Sequence, residues 1–170
     1  KGISGSAGNT NWNVYTSATG PTKKLVLNSS AGENTNTTWW NDTAPTASVF
    51  SLGTTGDSNY NGDNFIAYCF ANIDGYQRIG SYVGTAGTGP FVYTGFEPAW
   101  LMIKEVSNTG NWCIYDNKRD TVNPNSKVLA ANSSNAESSY SSGYNVNFHT
   151  NGFEIAESSS TDLNTSGSTY

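Results

Sequence analysis

No window of roughly 11 to 18 residues in this chain keeps an apolar period of about 3.6, the spacing a helix needs to bury one face. Short runs of β-branched and aromatic residues recur instead, at 12–15, 24–27, 48–52, 65–71, 79–83, 91–93, 100–106, 112–115, 128–131, 146–149 and 153–155. Clusters of Gly, Asn, Ser, Thr and Pro separate them, and runs of that length set between turn residues predict strands. The expected fold is all-β, an antiparallel β-sandwich or jelly roll. The stretch 130–139 tolerates at most one short helical turn.

Asn, Ser, Thr and Gly supply 82 of the 170 residues, and charged residues only 12%, about half the ~25% of an average globular chain. The surface is therefore expected to be neutral and polar. With 13 acids against 8 Lys+Arg and a net charge of −5, the chain has no cation cluster to displace counterions from phosphates, so no nucleic-acid partner is expected. Aromatic residues at 13% supply a core and argue against disorder. No apolar run approaches ~20 residues, so membrane insertion is not expected. The opening Lys1-Gly2-Ile3-Ser4-Gly5-Ser6 carries no leader pattern and reads as the start of a mature or excised chain.

An internal repeat runs through the strand pattern. Asn11-Trp12-Asn13-Val14-Tyr15 recurs 100 residues on as Asn111-Trp112-Cys113-Ile114-Tyr115. Lys24-Leu25-Val26-Leu27-Asn28-Ser29-Ser30 recurs loosely in 127–134, Phe50-Ser51-Leu52 matches Phe153-Glu154-Ile155, and the turn at Gly62 matches that at Gly167. The expectation is an internal duplication: a first β repeat at 1–78 with an N-terminal arm at 1–10, and a second at 79–170, together forming two units or one continuous sandwich. The first copy runs on into an apolar strand at 66–71, where the second stops at Tyr170. The second is preceded by Ala99-Trp100-Leu101-Met102-Ile103-Lys104, the first by the Gly/Ser-rich arm. A sheet short of a strand offers its N–H and C=O groups to another chain; trimmed chain ends would give the same pattern.

Phe91-Val92-Tyr93-Thr94-Gly95-Phe96-Glu97-Pro98 followed by Ala99 to Lys104, then Asn111 to Asp120, resembles an uncharacterised domain family common in marine phage and environmental sequences. Phe65-Ile66-Ala67-Tyr68-Cys69-Phe70-Ala71 adds to the likeness, which covers residues 11–170 and is specific over 66–120. The resemblance implies a virion-associated or surface protein with a concanavalin A-like jelly roll. It implies a structural role and carries over no catalytic residue.

The chemistry-bearing residues are sparse. His149, the one histidine, lies in Val146-Asn147-Phe148-His149 without a nearby His or Cys and reads as a strand-face residue, since a catalytic base needs an orienting carboxylate and a nucleophile. No nucleophile elbow, zinc-protease motif or phosphate loop occurs, and Gly84-Thr85-Ala86-Gly87-Thr88-Gly89 reads as a hairpin or linker. Asp57, Asn59, Asn61, Gly62 and Asp63 match the first half of an EF-hand calcium loop, but its twelfth position is Tyr68 instead of a bidentate Glu, which favours a plain turn. No other cofactor is expected. Asp116-Asn117-Lys118-Arg119-Asp120 reads as a salt-bridged loop. Cys69 and Cys113 sit in apolar runs, either as two buried thiols or as one bridge.

Trp39-Trp40 lies in a polar stretch; on a strand, adjacent rings point to opposite faces, one inward and one to solvent. The expected function is a non-enzymatic structural protein that self-assembles head to tail with identical subunits into an extracellular or virion-associated helical filament. Ile3, Trp39, Trp40 and Tyr170 are the expected assembly contacts, with the arm of one chain reaching the end of the next. The alternative is a lectin-like module that binds surface glycans.

Overall fold

In β7 (Trp100–Lys104) below, Leu101 and Ile103 are buried while Trp100 is exposed and Met102 half-buried, the two-residue period of a strand with one face on a core. The computed structural model describes residues 1–5, 10–140, 142–156 and 160–170, and it is all-β apart from two single-turn helices. The chain forms two compact units, Lys1–Phe70 and Ala71–Tyr170.

In the first unit, β1 (Gly2–Ser4) pairs antiparallel with β5 (Asn64–Phe65). A three-stranded antiparallel sheet has the order β2 (Asn13–Val14), β3 (Lys23–Val26), β4 (Asn34–Thr35). The turn α1 (Gly56–Asn59) is capped by Thr55, whose hydroxyl accepts from the Asp57 N–H, satisfying one of the donors a helix start leaves open. Leu25 and Trp40 are the buried apolar side chains among the described residues of this unit, whereas Val49, Phe50 and Leu52 are exposed.

The second unit is a two-sheet sandwich. One sheet has the order β10 (Ser138–Ser139), β9 (Lys127–Ala130), β8 (Trp112–Asp116), β7; the other has β11 (Val146–His149), β12 (Gly152–Ile155), β6 (Phe91–Tyr93). Leu101, Ile103, Cys113, Tyr115 and Val128 from the first meet Val146, Phe148, Phe153 and Ile155 from the second in one core. Leu163, from the turn α2 (Thr161–Asn164), and Tyr170 close it. Each fully buried aliphatic side chain contributes about 1.5–3 kcal/mol. Gly152 is required at the β6–β12 crossing: a Cβ there would lie 2.2 Å from the Val92 carbonyl oxygen.

Several apolar runs expected as strands are not. Residues 48–52, 66–71 and 79–82 have no ladder, and only Val83 bridges, to Thr169. Composition made those runs strand-like, but a strand exists only where a neighbour satisfies its N–H and C=O groups. Trp39-Trp40 lies in a turn instead of a strand, because Asn41 and Asp42 both adopt positive φ, 52° and 47°. No helix among the described residues is long and apolar enough to cross a membrane.

Local bonding in the two units runs in parallel. The Trp12 N–H donates to Asn28 Oδ1 at 2.8 Å, and Asn28 Nδ2 donates to Asn11 Oδ1 at 3.0 Å. The Trp112 N–H donates to Asn132 Oδ1 at 2.8 Å, and Asn132 Nδ2 to Asn111 Oδ1 at 2.9 Å. Register agrees as well: Asn13 faces Val26 and Val14 faces Leu25, as Cys113 faces Ala130 and Ile114 faces Leu129. Lys24 opposite Asn34 has its counterpart in Val128 opposite Ser138. Thr55 caps α1 as Ser160 caps α2.

Candidate functional site

The expected assembly residues fall into different environments. Ile3 is 59% exposed on β1, and that strand is paired within its own chain, where the Lys1 α-ammonium donates to the Ile66 carbonyl at 3.1 Å and the Ile66 N–H donates to the Lys1 carbonyl at 3.0 Å. Residues 6–9 of the arm lie outside the described residues. Trp40 is 9% exposed, donates its indole N–H to the Lys23 carbonyl at 2.8 Å and meets Tyr15 edge-on. Trp39 is half-buried, with the Lys24 ammonium 3.1 Å from its ring centroid, a cation–π contact. Tyr170 is 6% exposed; its N–H and C=O both pair with Tyr82, and the two rings stack at 5.0 Å.

The residues of the calcium candidate have different neighbours. Asp57 Oδ2 lies 3.6 Å from the Lys24 ammonium, and Asn59 Nδ2 donates to the Gly53 carbonyl, while Asn61 stands exposed. Asp63 instead packs on Gly5, where a Cβ would fall 1.8 Å from its Oδ1. Among the described residues, no three of His, Cys, Asp and Glu are grouped to hold a metal. His149 is an exposed strand residue whose Nε2 is 3.4 Å from Glu154 Oε2.

The loop 116–120 is held by backbone donors, not by internal salt bridges. Asp116 Oδ1 accepts from the Lys118 and Arg119 N–H groups, which hold its carboxyl below the usual range. Arg119 pairs with Glu137 instead. Asp120 Oδ2 accepts from the Ser126 and Lys127 N–H groups at 2.8 and 3.0 Å. Both cysteines are free thiols, and only Cys113 is buried; Cys69 is exposed.

Sequence reasoning passed over two features. One is a hollow of about 90 Å³ in the second unit, lined by Asn111, Cys113, Val128, Tyr140, Tyr144, Asp162 and the 133–138 loop. The α2 turn aims Asp162 into it, with Oδ1 accepting from the Asn111 N–H at 2.8 Å and Oδ2 from Asn111 Nδ2 and the Tyr144 hydroxyl, both at 3.0 Å. Tyr140 stacks on Tyr144 at 4.2 Å. Burial pushes the Tyr144 hydroxyl up to about 12, so it stays a donor at neutral pH. A carboxylate and amide beside aromatic rings can accept and donate to hydroxyls while a ring covers C–H groups. In the first unit Lys24 stands where Val128 does in the second, and its ammonium reaches Asn13 Oδ1 at 2.7 Å. Asp162, in a run of Ser, Thr and Asn, gave no sequence signal.

The other is an exposed apolar run. Tyr68, Phe70, Ile73, Tyr76, Ile79 and Val83 are exposed by 66, 69, 52, 75, 41 and 57%. Tyr68 and Phe70 belong to the first unit and the other four to the second; isolated exposed apolar residues are ordinary, and a run this dense in sequence is uncommon.

A family model described as a domain of unknown function (DUF7483) matches residues 3–170, and the chain belongs to that family. This bears out membership of an uncharacterised family. No curated protein and no solved structure matches the chain.

Proposed function

We propose that this DUF7483 chain is a structural, non-enzymatic subunit that assembles with identical copies into an extracellular or virion-associated filament. The observation that carries the reading is the exposed apolar run from Tyr68 to Val83. Leaving such side chains in water forfeits about 25 cal/mol per Å² of apolar surface, and a neighbouring copy recovers it. The first unit adds Val49, Phe50 and Leu52, exposed where the matching Phe153 and Ile155 of the second unit are buried. The shared Trp–Asn bonding supports reading the two units as an internal duplication. The family resemblance to virion and surface proteins supports the location and the jelly-roll topology.

Negative-stain microscopy and light scattering of the concentrated chain test this. Ordered polymers of constant width are expected; a monomer at every concentration overturns the reading.

The hollow at Asp162 favours a second reading, a lectin-like module for surface glycans. Under that reading the chain is retarded on immobilised glycans, and Tyr140→Ala abolishes the retardation without changing the thermal transition.

A further inference from the structure

Lys24 of the first unit keeps its ammonium in a lined site. Asn13 Oδ1 accepts from it at 2.7 Å, Asp57 Oδ2 lies 3.6 Å away, and the Trp39 ring centroid 3.1 Å away. The side chain is only 7% exposed. An ammonium taken out of water needs its hydration replaced, and here a carboxylate, an amide oxygen and a ring face replace it.

The second unit keeps this frame and lacks the lysine. Val128 holds the register position of Lys24, because Leu129 faces Ile114 as Leu25 faces Val14. The Asp162 N–H donates to the Ser160 hydroxyl as the Asp57 N–H does to Thr55. Tyr144 precedes Asp162 by the interval at which Trp39 precedes Asp57. Where the lysine stem runs in the first unit, the second has the hollow of about 90 Å³, lined by Val128, Asp162 and the stacked rings of Tyr140 and Tyr144. Asp162 is 5% exposed and accepts from the Asn111 amide groups and the Tyr144 hydroxyl, all uncharged donors. A second buried carboxylate stands close by: a Cβ on Gly110 would lie 3.0 Å from Asp162 Oδ1 and 3.4 Å from Glu105 Oε2. Lys104 feels both carboxylates, and its ammonium donates to the Glu105 and Asn108 carbonyls. Glu105 and Asp162 thus share the charge of Lys104, and a cation in the hollow compensates what that charge leaves over.

We propose that the Asp162 hollow binds a primary alkylammonium group, seated as the Lys24 ammonium is in the first unit. The nitrogen donates to the Asp162 carboxylate, with Ser133 and Ser138 in the same lining as further acceptors. The methylenes lie along Val128 and the two tyrosine rings, whose negative faces attract the charge. At ~30 Å³ for a water-sized group, the hollow admits about three heavy atoms, the nitrogen and its first two carbons. The rest of the stem leaves past Tyr140, which is 37% exposed. A neutral hydroxyl brings no charge to this site, and an anion is repelled by it.

The inference stands apart from self-assembly and from the glycan reading. Ligand-observed saturation-transfer NMR on the full chain tests it, because that signal is read from monomer and polymer alike. The probes are n-butylammonium chloride, which is the lysine side chain as a free amine, n-butanol and methyl β-glucoside. A saturable signal is expected from n-butylammonium and none from n-butanol at the same concentrations. Asp162→Asn keeps an oxygen for the Asn111 N–H but removes the charge, and should weaken binding at least about tenfold. Val128→Lys installs the lysine of the first unit and should abolish binding by filling the hollow from within. Nα-acetyl-lysine methylamide separates the sources of the ammonium: binding like that of n-butylammonium assigns a lysine side chain on a polypeptide, and exclusion assigns a small free amine. Should either variant fail to fold, the wild-type comparison decides alone. No saturable signal from n-butylammonium, or an equal one from n-butanol, overturns the inference. A signal from the glucoside without one from the amine overturns it and leaves the lectin-like reading standing.

Discussion

Trp112 and Asn132 are joined main chain to side chain, the Trp112 N–H donating to Asn132 Oδ1 at 2.8 Å while Asn132 Nδ2 holds Asn111. One amide thus ties the start of β8 to the end of β9. Asn132→Ala removes the acceptor of the Trp112 N–H and the donor to the Asn111 oxygen, and a loss of about 1–3 kcal/mol is expected in denaturant titration. Asn28→Ala, the matching change at an exposed position of the first unit, costs less because water replaces the amide. Equal losses at the two sites would contradict this.

Trp112 is 7% exposed and Trp12 half-buried, stacked on the exposed ring of Tyr68 at 5.9 Å. Trp112→Ala is expected to cost about 3–5 kcal/mol, the range for emptying a large aromatic site. Trp12→Ala costs less. An unchanged melting temperature for Trp112→Ala would remove that ring from the structural framework.

Asp120 gives an acid limb to stability. Burial works against its charge, but the N–H groups of Ser126, Lys127 and Val122 outweigh it and hold the carboxyl below its ordinary value. A carboxyl depressed on folding stabilises the native state above the unfolded pKa near ~3.9 and loses that contribution as pH falls through the folded value. Asp120→Asn should lower stability at pH 7 and flatten the decline below about pH 4. Parallel wild-type and variant curves across that range would show that the carboxylate contributes nothing.

The sandwich was legible because Leu101/Ile103, Cys113/Tyr115, Val146/Phe148 and Phe153/Ile155 alternate with outward residues, and period two is a local property. The paired Trp motifs were legible for the same reason, as short strings. What could not be read was partnership. Residues 66–71 are as strand-like as β8, yet whether a ladder forms depends on a neighbour distant in sequence. Tyr170, expected at an open end, is paired with Tyr82 across 88 positions. Asp162 became visible as a centre only when folding brought Asn111 and Tyr144 to it.

The thiols should report this directly. Cys69 is exposed, while Cys113 is buried and burial pushes its thiol up and keeps it protonated, so only the solvent-accessible Cys69 is expected to react. One equivalent of a thiol reagent per native monomer is expected at pH 8, and two after denaturation. Rapid modification of Cys113 in the native chain would show that the core opens far more readily than its packing implies.

Alkaline stability follows from two phenols. Tyr82 donates to the Leu163 carbonyl and Tyr115 to the Tyr144 carbonyl, both at 2.8 Å, and Tyr115 is fully buried. Burial raises both hydroxyls well above the ordinary tyrosine value, so the folded chain holds protons that the unfolded chain releases near pH ~10. A group raised on folding contributes fully below its unfolded pKa and loses that contribution as pH climbs toward the folded value. Stability should therefore fall by about 1.4 kcal/mol per pH unit for each such tyrosine above pH ~10. In absorbance titration, Tyr82 and Tyr115 ionise only as the fold is lost, with hysteresis between the upward and downward scans. Tyr115→Phe removes one titrating group and one hydrogen bond, so it should lower stability at pH 7 by about 1 kcal/mol while making the alkaline decline shallower. A variant curve that stays parallel to wild type above pH ~10 would mean that Tyr115 ionises inside the folded protein.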